Sequence, residues 1–377
     1  MKLKSLFKAW GAKPARAGAA ASTTRLDAAT ALAQARTNAF GKWHSPASAG
    51  EISQTDSDAS VRLKGPAAEV KARYDGPRFS LEDPVFTMGS CFARELEVAL
   101  IRRGGRVVSM DYKTLRRPEF LDGEGRVRAG FLHRYTPQAM AQELRCAFGQ
   151  QPGWDPEQSL LIVRGARAYD FNYAWIAGAD SSREAALVRR EVARGFVRTA
   201  AEAKVLILTL GLTESWLHKP SGFYCNKVHI GYVRRNPEEF ELHLTSFEDA
   251  LACLEDAYET IARNHRIGDF QLVVTVSPVP LQNTFTDQDI VVANAESKAV
   301  LRAAAGAFAR RHANVSYFPS YEMVTHSHPD FALRPDRAHV EQKMVDRIMS
   351  SFIEVYFDQA PAVAPESWPD QDVVLAD

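Results

Sequence analysis

The sequence predicts an α/β fold built on a mainly parallel sheet with helices on both faces. Two patterns carry that expectation. From about residue 80 onward, short apolar runs rich in β-branched residues alternate with segments of helical periodicity. The runs are apolar at nearly every position, which suits strands covered on both sides, and the intervening segments have the length of crossover helices.

The expected strands are 85–88, 106–109, 204–210 (KVLILTL), 270–276 (FQLVVTV) and 315–318. Between and after them, helices are expected over 91–103, 137–149, 183–203, 246–264, 291–311 and 340–357. In the fourth helix Phe247, Leu251, Leu254, Tyr258 and Ile261 recur at spacings of four and three, and Thr245 with Glu248 offers a capping box. Residues 1–78, rich in Ala, Ser, Thr and Lys, read as a partly disordered or loosely packed extension. The main domain is expected over 79–360 and a tail over 361–377.

Composition excludes several classes. The 46 Lys and Arg balance the 46 Asp and Glu, and the bases form no stripe with interleaved aromatics, so nucleic acid is not an expected partner. The 4 cysteines, Cys91, Cys146, Cys225 and Cys253, lack CxxC spacing, which argues against a zinc ribbon or disulfide framework and fits a reducing compartment. No apolar run approaches the roughly 20 residues of a membrane helix. Lys8 and Lys13 interrupt the apolar stretch that a secretory signal needs. A cytoplasmic location is therefore expected. The basic N-terminus can at most associate weakly with a membrane surface through Leu3, Leu6, Phe7 and Trp10.

In open parallel sheets, ligands bind beyond the carboxyl ends of the strands. The first strand ends in Thr87, Met88, Gly89, Ser90 and Cys91, and KVLILTL ends in Gly211, Leu212, Thr213 and Glu214. FQLVVTV runs into Ser277, Pro278, Val279 and Pro280, and Asp336 and His339 stand just before the last helix. A serine becomes a nucleophile when a histidine takes its proton and a carboxylate fixes that histidine's tautomer. Asp336 and His339, separated by two intervening residues in a turn, can supply such a pair for Ser90. A serine heading a helix is also well furnished with donors for a developing oxyanion. The amides of Ser90 and Cys91 are the expected ones, with Gly211 and the Thr213 hydroxyl as a further source. Cys91 offers a competing thiol nucleophile, because a helix N-terminus lowers thiol pKa values.

Gly89, Ser90, Cys91, Phe92 and Ala93 spell the signature of the GSCFA domain family, which the chain resembles in several further stretches. These are LTLGLTESW (208–216) with His218, Lys219 and Pro220, SPVPLQNTF (277–285), NAESKAVLR (294–302), YFPSYEMV (317–324) and DRAH (336–339). The resemblance covers roughly residues 80–345. That family resembles in turn the SGNH or GDSL hydrolases, serine esterases and acyltransferases of flavodoxin-like α/β fold. The resemblance implies Ser90 as nucleophile, Asp336 and His339 as acid and base, and Gly211 and Thr213 at the oxyanion motif. It departs from the wider class in two places: the aspartate of the G-D-S motif is absent, and Thr213 replaces an asparagine.

Other polar groups have two readings each. His218 and Lys219 can bind an anionic substrate group or lie in a solvated loop. Asn294 and Lys298, with Ser297, open a helix and can cap it or touch substrate. His326, His328 and Asp330 lack further ligands for a metal, and neither metal nor cofactor is expected. Tyr169, Phe171, Tyr173 and Trp175 alternate as a strand would. The expected function is a serine-dependent acyl-ester hydrolase acting on an O-acylated substrate, either a small molecule or a glycan. Transfer of the acyl group to an envelope or capsular glycan, or glycan binding without catalysis on the same fold, are the alternatives.

Overall fold

The computed structural model describes residues 26–43, 55–117, 120–121, 127–128, 130–173, 182–358 and 373–374. The amphipathic N-terminal stretch with Trp10, the Trp175 position and most of the expected tail lie outside them. The chain divides into two compact units, residues 1–62 and 63–377. In the first, a helix over Ala28–Thr37 starts at Asp27, whose carboxylate accepts the Thr30 N–H at 2.9 Å.

The second unit is the α/β body. Its central sheet contains β1 (Val85–Gly89), β4 (Val205–Leu210), β8 (Gln271–Val276) and β9 (Val315–Tyr317), all parallel and adjacent in that order. Every residue of β1, β4 and β8 is buried, as apolar runs flanked on both faces require. The pleat sorts them. Leu206, Leu208 and Leu210 face the side packed by α2 (Pro137–Ala147), α4 (Phe247–Asn264) and α5 (Ile290–Arg311). Val205 and Ile207 face the side packed by α1 (Cys91–Ile101) and α6 (Gln342–Tyr356). A further helix, α3 (Arg183–Arg198), precedes β4.

The expected strand at 106–109 shrinks to a single parallel bridge between Val107 and Val85. The Val85 N–H reaches the Arg106 carbonyl at 2.8 Å and the Val108 N–H the Val85 carbonyl at 2.9 Å. The next donor in the ladder, Thr87 N–H, turns instead to the Ser109 hydroxyl at 3.0 Å, so a side chain ends the pairing. Counting this edge segment, the order in space is second, first, third, fourth, fifth, the flavodoxin-like arrangement. The chain therefore reverses direction across the sheet between β1 and β4, the point at which open parallel sheets place a binding crevice.

Two small antiparallel elements were not among the expected strands, although the strand-like alternation that starts at Tyr169 touches the end of one of them. One is a hairpin of β2 (Leu161–Arg164) and β3 (Arg167–Asp170); the other is a sheet of β5 (Glu214–His218), β6 (Phe223–Cys225) and β7 (Phe240–Leu244), with β5 in the middle. The three-stranded sheet lacks the unbroken apolar run that marks a doubly covered strand, and the apolar run of the hairpin, residues 160–163, is short. The capping box of α4 is also shifted by one residue: Ser246 and Asp249 form it, while the Thr245 hydroxyl is committed to the Thr213 carbonyl at 2.7 Å.

Gly89 shows how tight the β1–β4 junction is. A Cβ there would lie 2.6 Å from both the Cβ and the carbonyl oxygen of Thr209, its cross-strand partner. Gly89→Ala is expected to cost about 1–3 kcal/mol, the usual range for overpacking where backbone must move. The midpoint of urea unfolding measures it; a wild-type midpoint would mean that the strands separate freely at this point.

Candidate active site

Ser90 is the N-cap of α1, yet its hydroxyl makes no capping hydrogen bond. An N-cap serine ordinarily accepts an N–H from its own first turn. Here the hydroxyl points the other way and donates to the Ser277 hydroxyl at 3.0 Å, at the carboxyl end of β8. Ser277 also accepts the Val279 N–H at 3.3 Å. Ser90 is only 4% exposed, so this is a buried contact between two strand ends.

A segment that the sequence reading passed over bridges the strand ends. The Arg134 N–H donates to the Gly89 carbonyl at 2.7 Å, and the Leu212 N–H donates to the Tyr135 carbonyl at 2.8 Å. Residues 133–135 thus lie across the ends of β1 and β4. A Cβ at Gly211 would meet the Tyr135 carbonyl oxygen at 2.6 Å, so the approach needs a glycine. Asn226 braces the segment from outside, accepting the Tyr135 N–H and donating to the His133 carbonyl.

Helix α5 also reaches these strand ends. The Ser297 hydroxyl accepts the Thr213 N–H at 3.2 Å, so the Thr213 amide is already committed within the protein. The Lys298 ammonium donates to the carbonyls of Gly211 and Val279, each at 2.7 Å. Asn294 sits in the second turn of α5 and accepts the Leu281 N–H at 3.1 Å; the N-cap is Asp289. Glu214 holds the same loop through Thr284 and the Phe285 amide.

Asp336 and His339 form a local pair. The His339 Nδ1–H donates to Asp336 Oδ2 at 2.6 Å, and Oδ1 accepts the amides of Ala338 and His339 at 2.9 and 3.0 Å. Those bonds, the one from His339 first, hold the Asp336 carboxyl well below the usual carboxylate range. Between them Arg337 sits in the left-handed region at φ 59°, a conformation that the bonds to Asp336 offset. The turn is docked onto α1: Arg334 pairs with Glu95 at 3.4 Å, and the Arg334 N–H donates to the His339 carbonyl at 2.8 Å. Burial pushes the Glu95 carboxyl up, and the charges of Arg334, Arg102 and His339 pull it back, so His339 lies within electrostatic reach of the helix that Ser90 heads. No hydrogen bond joins Ser90 to His339.

The sequence model of the GSCFA family matches residues 84–352, more than two thirds of the 377 residues. The chain belongs to the GSCFA family. A comparison with curated proteins finds no match. The matched stretch begins one residue before β1 and runs through most of α6, so it spans the whole central sheet and every strand end just described.

Within this GSCFA chain, the strand ends gather Ser90, Cys91, Gly211, Thr213 and Lys298, together with Ser277 and Ser297. His218 and Lys219 are not part of that group. They follow the Thr213 strand end by about 16–20 Å of extended chain and belong to the antiparallel sheet. The His218 ring packs on Phe240 with centroids 5.3 Å apart and bonds Ser221 at 2.8 Å. Burial draws His218 below the ordinary histidine range. Lys219 is exposed, and its amide donates to the Glu239 carbonyl. Sequence reasoning assigned no role to Ser277, Glu95 or the 133–135 segment. Ser277 was legible by the same rule that picked Ser90, since it directly follows an apolar strand; Glu95 and residues 133–135 carry no local signal.

Proposed function

We propose that this chain is a serine-dependent acyl-ester enzyme. The observation that carries the reading is the Asp336–His339 pair: Nδ1 is committed to the carboxylate, and among the described residues Nε2 has no hydrogen-bond partner. An imidazole in that tautomer has its free lone pair on Nε2, the arrangement a general base needs. In the proposed reaction the Ser90 oxygen attacks the acyl carbonyl as its proton passes to His339 Nε2. The first-turn amides of α1 and the Thr213 hydroxyl hold the oxyanion. Collapse expels the alcohol, which takes the proton from His339 and leaves an acyl ester on Ser90. Attack by water completes hydrolysis of an O-acylated small molecule or glycan; attack by a sugar hydroxyl transfers the acyl group to a glycan.

One observation favours a second reading, glycan binding without catalysis: the Ser90 hydroxyl bonds to Ser277 rather than to His339. In the catalytic reading this is a resting state, and the hydroxyl rotates to His339 when substrate enters; catalytic hydrogen bonds are often loose before then. Intact-mass labelling with a fluorophosphonate decides between the two. One adduct on the wild type and on Cys91→Ala, absent from Ser90→Ala, is the expected result. A folded wild type that stays unlabelled would overturn the enzymatic reading, and an adduct lost only with Cys91→Ala would move the nucleophile to the thiol.

A further inference from the structure

Lys298 is a deeply buried cation at the strand ends, 1% exposed, and among the described residues no carboxylate pairs with it. An uncompensated ammonium in a protein interior is costly, so such a group persists only where its hydrogen bonds are made. Both of its observed bonds run to main-chain carbonyls, and those carbonyls belong to different strand ends. Gly211 follows β4 and leads to Thr213; Val279 follows β8 two residues beyond Ser277. The neighbouring Ser297 holds the Thr213 amide. One turn of α5 therefore grips both segments that face Ser90. A surface lysine offered to substrate would instead keep its ammonium in water.

We propose that Lys298 is a positioning residue of this site: its ammonium ties the Gly211–Thr213 and Ser277–Val279 segments into one rigid wall opposite Ser90 and sets a buried positive charge beside the head of α1. The assignment of that wall to catalysis rests on Ser90 being the nucleophile; the tie and the charge do not. Burial brings Lys298 down to about 7 from an ordinary value of 10.5, and Cys91, at the head of α1, opposes that shift. The segments from β4 and β8 present carbonyls and hydroxyls. Around neutral pH the charge is therefore present on the acid side and lost on the alkaline side.

The sign for stability follows. Between about 7 and 10.5 the folded chain binds fewer protons at Lys298 than the unfolded chain does, so stability from this group rises with pH across that window. Below it, the buried charge opposes folding in full. Lys298→Met removes that opposition. The variant is expected to gain on the wild type as pH falls from 9 to 6, read as the difference between their urea midpoints. A purely apolar packing role would give a difference independent of pH.

Cys91 supplies a second readout that does not need an active serine. Cys146 and Cys225 are buried, and burial pushes Cys253 up to about 12, so iodoacetamide in a Ser90→Ala background reports on Cys91. Lys298→Arg keeps the charge at every pH, including the alkaline range where wild-type Lys298 has lost it, and is expected to move the alkylation profile of Cys91 to lower pH than Lys298→Met does. In the Ser90 background, fluorophosphonate labelling is expected to slow about 10- to 100-fold with Lys298→Met, the scale of misplaced reacting groups. Superimposable Cys91 profiles for Lys298→Arg and Lys298→Met, with a pH-independent stability difference between Lys298→Met and the wild type, would overturn the proposal. An unlabelled wild type whose Cys91 profile nonetheless responds to Lys298 would refute the catalytic reading alone and leave the buried tie standing.

Discussion

Replacing His339 by alanine is expected to slow fluorophosphonate modification of Ser90 by roughly 10³-fold or more, since a serine without its base keeps little nucleophilicity. The prediction separates two things that a single rate confuses. His339 is half-exposed, with 38% of its side chain accessible, and no core packing depends on it, so the variant keeps its fold and its unfolding midpoint. Asp336→Asn is the sharper companion. Asp336 accepts three bonds, from Nδ1 and two amides. The amide side chain can still accept the backbone N–H groups through its oxygen, which preserves the turn around Arg337. What it presents to Nδ1 is then an NH₂ group, and the imidazole must carry its proton on Nε2, the nitrogen that should receive one. The expected loss is again of order 10³-fold or larger, at unchanged stability. Rates measured by intact mass over time, with circular dichroism on each variant, check both. A His339→Ala variant labelled at the wild-type rate would take His339 out of the mechanism.

The architecture was legible because its determinants are local. Apolar runs such as VLILTL have no other place to go than a strand covered on both faces, and the stripe of Leu251, Leu254 and Ile261 can only be one side of a helix. Ser90 and Asp336–His339 were legible for a related reason: chain position relative to a strand end or final helix fixes where a residue lies in a parallel sheet. What sequence did not reveal depends on distant partners. The 133–135 segment becomes part of the site through Gly89 and Leu212, far away along the chain, and nothing in its own residues announces that. Glu95 matters through Arg334. Lys298 and Asn294 were recognised as belonging to the site, but their orientation depends on where the 277–289 loop folds, so a bond to backbone was not distinguishable from a bond to substrate. The antiparallel strands were missed because a half-covered strand such as ESWLH mixes polar and apolar residues, as a loop does.

The second large effect is expected behind the nucleophile, at Glu97. This carboxylate is fully buried on α1, where Oε2 meets Arg94 at 2.6 Å and Oε1 accepts the hydroxyls of Thr87 and Ser109. Arg94 in turn donates to the Thr87 carbonyl and hydroxyl, at 3.2 and 2.9 Å. The group therefore fastens α1 to β1 three residues before Ser90, and through Ser109 it fixes the edge segment whose pairing ends there. Burial pushes the Glu97 carboxyl up, and the Arg94 charge with the two hydroxyls opposes the shift. Glu97→Ala leaves the guanidinium buried with no counter-charge and is expected to cost about 3–5 kcal/mol. Removing both charges, as Glu97→Met with Arg94→Met, takes away the stranded ion along with its partner. The double variant is expected to be more stable than Glu97→Ala alone, because a buried pair replaced by apolar groups of similar volume loses little. Urea midpoints of the wild type, Glu97→Met, Arg94→Met and the double variant complete the cycle, with Glu97→Ala measured beside them. If Glu97→Ala unfolds at the wild-type midpoint, the pair is not holding the helix to the strand. If the double variant recovers stability but labels slowly, then the network's contribution is to the placement of Ser90 at the head of α1, since its folding cost has been removed with the charges.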